Sequence, residues 1–158
     1  MNEYGTLHES NGRYALRFER SFPYQREEVF RVITTPSDFS QWYPFATGEM
    51  DLRPGGKIAM DDGEGSTYEA VITELKKPHT FEFREMDDLL QVSLLEEDVG
   101  CQMIFTHIFD GKEMAMYVAA GWHRCLDALG QIVNGQPVEW QDNAVELREY
   151  YKEAFDSH

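Results

Sequence analysis

A chain of 158 residues suits one domain of ordinary size, which buries roughly 70% of the surface its unfolded form exposes. Its 14 Lys and Arg against 29 Asp and Glu leave a formal charge of −15, which repels phosphate backbones and anionic lipid surfaces, so neither nucleic acid nor a membrane is expected as a partner. The start, Met1-Asn2-Glu3-Tyr4-Gly5, has no basic or apolar run of a secretion signal, and the longest apolar stretch, Met114 to Trp122, is too short to span a bilayer, so the expected location is cytoplasmic.

Aromatic residues make up 13% of the chain and supply large contact areas with few rotors, enough for a core with surface left over for a pocket. The densest acidic clusters, Asp61-Asp62, Asp87-Asp88 and Glu96-Glu97-Asp98, fall at expected turns and read as solvated surface. Cys101 and Cys125 have no metal-ligand or redox spacing and read as small hydrophobes, with a disulfide between them as the alternative.

In chain order, residues 1–12 read as an N-terminal tail. Residues 13–21 alternate, with Tyr14, Leu16 and Phe18 on one side, which is the period of a half-buried strand. After Pro23, residues 24–33 carry acids in their first turn and apolar residues on one helical face. That helix ends before Thr35-Pro36, because a residue preceding proline is disfavoured in the helical region. A second short helix follows over 37–41.

Six strands come next, over 48–53, 56–61, 66–76, 79–86, 90–96 and 101–109. Turn chemistry separates them: Pro54-Gly55-Gly56, Asp62-Gly63-Glu64-Gly65, Lys77-Pro78, Asp87-Asp88 and Asp98-Val99-Gly100. Residues 113–134 switch to helical period, with Met114, Tyr117, Val118, Gly121, Trp122, Cys125, Leu126 and Leu129 on one stripe and Gly135 as the stop. After Pro137, Trp140, Ala144, Leu147, Tyr151 and Phe155 recur at helical spacing and predict a C-terminal helix.

This order predicts an α+β domain in which a curved seven-stranded antiparallel sheet grips one long helix. Residues 13–135 would form the domain and 136–158 a helical extension. One helix cannot fill the trough of so long a sheet, which makes the trough the expected pocket.

The residues then resemble a known group, the activator-of-Hsp90-ATPase homologue 1-like family of the START/Bet v 1-like superfamily, with its helix-grip fold. The resemblance covers about residues 14 to 135. It rests on Val29-Phe30, Thr35-Pro36 and Trp42-Tyr43, on Asp51-Leu52-Arg53-Pro54-Gly55-Gly56-Lys57, on Glu74-Leu75-Lys76-Lys77-Pro78-His79-Thr80-Phe81-Glu82-Phe83, and on Gly121-Trp122. It implies a domain that binds hydrophobic ligands, with some relatives acting as co-chaperone domains or polyketide cyclases, and it transfers no catalytic set.

The search for chemistry returns mostly absences. Gly63-Glu64-Gly65 lacks the third glycine of a dinucleotide loop, and Asp61-Asp62-Gly63 does not continue into a calcium loop. His8, His79, His107, His123 and His158 are scattered without ligand spacing, so no metal and no cofactor is expected. His107 alternates with Phe105 and Phe109 and reads as a hydrogen-bonded sheet histidine, and His123 as a surface residue at the edge of the helix stripe. Gly121 most simply lets the helix approach the sheet closely; room for a ligand is the other reading.

The candidate cavity lining is Trp42, Tyr43, Met60, Tyr68, Phe81, Phe83, Glu85, Phe105, Met114, Tyr117, Val118 and Trp122. Tyr68 and Tyr117 carry hydroxyls suited to orienting a ligand's polar end. Glu85 is the acid to watch, since it shares a strand face with Phe81 and Phe83; its alternative is a wet position near the strand end. The leading expectation is a binding protein for a lipid-like or aromatic molecule, without chemistry. A co-chaperone-like interaction module or a homodimer through the C-terminal helix is the second, and a cyclase or hydratase in which a Tyr or Glu moves a proton is the third.

Overall fold

The structure is a computed structural model that describes residues 4–43 and 45–156; the candidate His158 lies outside them. The elements are β1 (Thr6–Ser10), β2 (Arg13–Phe22), α1 (Arg26–Thr34), α2 (Pro36–Trp42), β3 (Ala46–Met50), β4 (Lys57–Asp61), β5 (Thr67–Lys76), β6 (Thr80–Glu85), β7 (Asp88–Glu96), β8 (Cys101–Phe109), α3 (Ala115–Val133) and α4 (Ala144–Asp156). The strands form one antiparallel sheet in the order β1-β2-β8-β7-β6-β5-β4-β3. The α+β helix-grip architecture is therefore present.

The sheet has eight strands where seven were expected, because part of the supposed tail pairs with β2. Asn11 and Gly12 both take positive φ, 55° and 79°, between the paired residues Ser10 and Arg13. That is the requirement of a two-residue type I′ hairpin, which Asn-Gly meets at little cost. The pair is a strong hairpin signal, hidden here by the weak alternation of Thr-Leu-His-Glu-Ser before it.

Thr35 does double duty. Its extended backbone (φ −70°, ψ 123°) ends α1 and starts α2, with Pro36 at the first helical position, where its missing N–H costs nothing.

Along β8, Cys101, Met103, Phe105, His107 and Phe109 are buried on one face, and Leu90, Val92 and Leu94 of β7 and Phe81 and Phe83 of β6 continue that face. Register aligns Phe18, Phe105, Val92 and Phe81 in one row across four strands. Against these rows α3 buries Ala119, Trp122, Leu126 and Leu129. A fully buried Leu or Phe contributes about 1.5–3 kcal/mol by transfer from water, so this interface, more than helix propensity, fixes α3 in place.

Two expectations at the C-terminal end are corrected. His123 is buried, at 3% exposure, because α4 packs over it and its Nδ1 meets the Tyr151 hydroxyl at 2.9 Å. Trp140 stands on a loop before α4 rather than in a helix. Past Gly135 (φ 73°), the Gln131 side chain accepts from the Glu139 N–H (2.9 Å) and donates to its carbonyl (3.3 Å), and Arg124 donates to the Gln141 carbonyl (3.0 Å). These bonds replace the helical ladder and hold the loop along α3. Among the described residues no helix is long and apolar enough to cross a membrane.

Candidate functional site

One end of the trough is filled. Phe39 of α2 stacks on Tyr43 (4.9 Å between ring centres) and meets Phe81 and Phe83 edge-on at 6.1 and 6.0 Å, while Trp42 lies edge-on to Phe39 and Phe105. The other end, between the β6–β7 turn and α3, is open. There a pocket of about 1140 Å³ is walled by Tyr43, Tyr68, Val118, Trp122 and Cys125, with Phe45 and Trp140 half-exposed at its edge. That is ample for a drug-sized molecule.

Its polar groups converge on the end of β6. The hydroxyl of Tyr43 donates to Glu85 Oε2, and that of Tyr68 donates to Glu85 Oε1 at 2.6 Å. Burial, and then the Glu85 carboxylate, push both tyrosines above their ordinary pKa, so both hydroxyls remain protonated donors. Beside them the Trp122 indole N–H donates to Nδ1 of His107 at 2.9 Å. An indole nitrogen only donates, so the His107 ring carries its proton on Nε2, which faces Asp88 Oδ2 at 2.8 Å. Burial pushes the Cys125 thiol up to about 12, with Arg124 opposing it, so the thiol stays protonated at neutral pH.

Of the twelve residues named from sequence, Tyr43, Tyr68, Glu85, Val118 and Trp122 line this pocket. Trp42, Met60, Phe81, Phe83 and Phe105 are buried in the core instead, and in the trough Phe39 supplies the bulk that closes it. Met114 and Tyr117 are 58% and 44% exposed and lie outside the pocket: α3 begins only at Ala115, and the Tyr117 ring carries the Arg148 guanidinium at 5.6 Å. Gly121 does not bring the helix against the sheet. A Cβ there would meet nothing within 4 Å, and the residue lines the pocket.

Sequence reading missed Phe45, Asp88, Arg124 and Trp140 as lining residues. The sequence around Asp88 reads as turn surface, yet the residue pairs with Glu85 as the first residue of β7 and shares its face. Trp140 depends on the Gln131 clamp, which leaves no periodic signal. Among the described residues no group of three or more His, Cys, Asp or Glu side chains is placed to hold a metal ion.

The family model of the activator of Hsp90 ATPase homologue 1-like proteins matches residues 23–134. The chain belongs to that family. Solved structures share the fold. EF2215 from Enterococcus faecalis, a conserved protein of unknown function, superposes with a TM-score of 0.81 at 16% identity, over 97% of this chain and 91% of its own. CalU16 from Micromonospora echinospora does so with a TM-score of 0.73 at 20% identity, over 99% and 96%. NE0264 from Nitrosomonas europaea matches 77% of this chain and 94% of its own, with a TM-score of 0.62 at 17% identity. No curated protein matches this chain.

Proposed function

We propose that the protein is a carrier that encloses a small hydrophobic molecule, aromatic or lipid-like, in the pocket between the β6–β7 end of the sheet and α3. The observation that carries this reading is the pocket itself: about 1140 Å³ with aromatic walls and one focused polar point at Glu85. The family's fold supports a hydrophobic-ligand-binding or cyclase-like domain. Binding without chemistry is favoured because both nitrogens of His107 are already engaged, by Trp122 and by Asp88. An interaction module would draw on Trp140 and Phe155, but Phe155 packs against the core and Trp140 belongs to the pocket wall under the Arg124 guanidinium.

The test is titration with N-phenyl-1-naphthylamine, a neutral dye that brightens in apolar sites. The wild type gives a saturable rise in emission, and Gly121→Phe, which projects a ring into the open space, abolishes it while keeping the fold. A folded wild type that leaves the dye dark contradicts the carrier reading.

A further inference from the structure

The pocket's hydrogen-bonding inventory is lopsided. Glu85 and Asp88 are direct partners across β6 and β7, so both carboxylates stand on the pocket face of the sheet, where like charges opposite one another destabilise a strand pair. The protein answers them with neutral donors alone: the Tyr43 and Tyr68 hydroxyls for Glu85 and the His107 Nε2–H for Asp88. Those donors are thereby used up, as is the Trp122 indole N–H, which His107 takes. The one cation among the described lining residues, Arg124, is held over the Trp140 ring at 5.7 Å and bonds the Gln141 carbonyl, and its Nε, which has no partner, is buried. What remains for a ligand at the β6–β7 end is acceptor lone pairs on the carboxylates of Glu85, Asp87 and Asp88 and on two phenol oxygens, beside the aromatic rings of Tyr43 and Trp122.

From this geometry we propose that the occupant is an amphiphilic amine, whose protonated nitrogen docks at the Glu85–Asp88 pair while its apolar body lies along Trp122 and Val118. The inference rests on the carrier reading and narrows it. An ammonium supplies the charge and the donors that the pair lacks and gains from adjacent ring faces, whereas a carboxylate or phosphate head at that end would meet like charges, the lining hydroxyls of Ser66 and Thr67 belonging instead to the β4–β5 hairpin. The chain's net charge of −15 steers cations toward it at long range.

The test is calorimetric titration of the full chain with three compounds sharing one apolar body: 2-naphthylmethylamine, 2-naphthylmethanol and 2-naphthoic acid, at pH 7 and low salt. The amine binds at least tenfold tighter than the alcohol, and the acid weakest. Glu85→Gln and Asp88→Asn each shrink the amine-to-alcohol ratio by lowering amine affinity more than alcohol affinity. Glu69→Gln, which removes the same charge from the exposed Lys57 pair on the sheet, leaves the ratio unchanged. Equal binding of amine and alcohol, a preference for the acid, or a ratio that Glu69→Gln lowers as much as Glu85→Gln overturns the amine assignment and leaves the carrier standing. A wild type that binds none of the three takes the carrier reading down as well.

Discussion

The backbone N–H of Gly5 donates to the hydroxyl of Tyr151 at 2.8 Å, joining the lead-in to the first strand to the last helix inside a buried polar contact. The same hydroxyl meets His123 of α3, so one oxygen ties three segments together. A Cβ on residue 5 would lie 2.5 Å from the Phe18 ring, so only glycine brings that N–H so close.

Tyr151→Phe removes the oxygen and leaves the Gly5 N–H and the His123 ring nitrogen without it. Stranding the buried Gly5 N–H costs about 1–3 kcal/mol, so the variant loses about 2 kcal/mol of unfolding free energy in urea while its ring packing persists. A loss below 0.5 kcal/mol (an order set by ordinary surface changes) would show that the contact contributes nothing.

The β6–β7 turn holds Met86 at φ 57°, a region L side chains enter at a cost of about 1–2 kcal/mol, and the side chain is 71% exposed. Since no burial offsets that strain, Met86→Gly raises stability by about 0.5–1 kcal/mol despite the added freedom of the unfolded chain. The midpoint of urea unfolding moves up with an unchanged slope; a drop in midpoint refutes the strain.

Gly121 sits in the interior of α3 with open space where a Cβ would be. Gly121→Ala gains about 0.5–1 kcal/mol from helix propensity and clashes with nothing. Thermal unfolding shifts upward; destabilisation would place a neighbour where the pocket is.

The architecture was legible because its carriers were local and periodic. The alternation of β8, the stripe of α3 and the Thr35-Pro36 boundary each lie within a few residues of sequence. The pocket was only half legible. Tyr43, Tyr68, Glu85 and Trp122 were found from strand and helix faces, but whether the trough is hollow at a given point depends on Phe39, which no spacing rule separates from an ordinary core residue. Trp140 was misplaced for a similar reason, since side-chain clamps from α3 hold its loop. Asp88 shows a third limit: its place opposite Glu85 is a matter of strand register, which the turn composition around it does not reveal.

Stability falls at high pH. Burial raises the Cys125 thiol from its ordinary 9 to about 12, so the folded protein keeps a proton there that the unfolded chain releases, and unfolding becomes more favourable as pH rises from about 9 to about 12. Tyr43, Tyr68 and Tyr151, also raised, act in the same direction. Urea unfolding at pH 8, 9 and 10 shows this slope, and Cys125→Ala makes it shallower; an unaltered slope in the variant excludes Cys125 as a contributor.

The central claim is that the space between the β6–β7 end and α3 receives a guest. It is tested most directly by heteronuclear NMR of the labelled chain with saturating 2-naphthylmethylamine, reading nuclear Overhauser contacts between the naphthalene protons and the protein. Contacts with Tyr68, Val118 and Trp122 together are the predicted result. Contacts confined to Met114 and Tyr117 on the outer surface, or none with any of these residues, would contradict it.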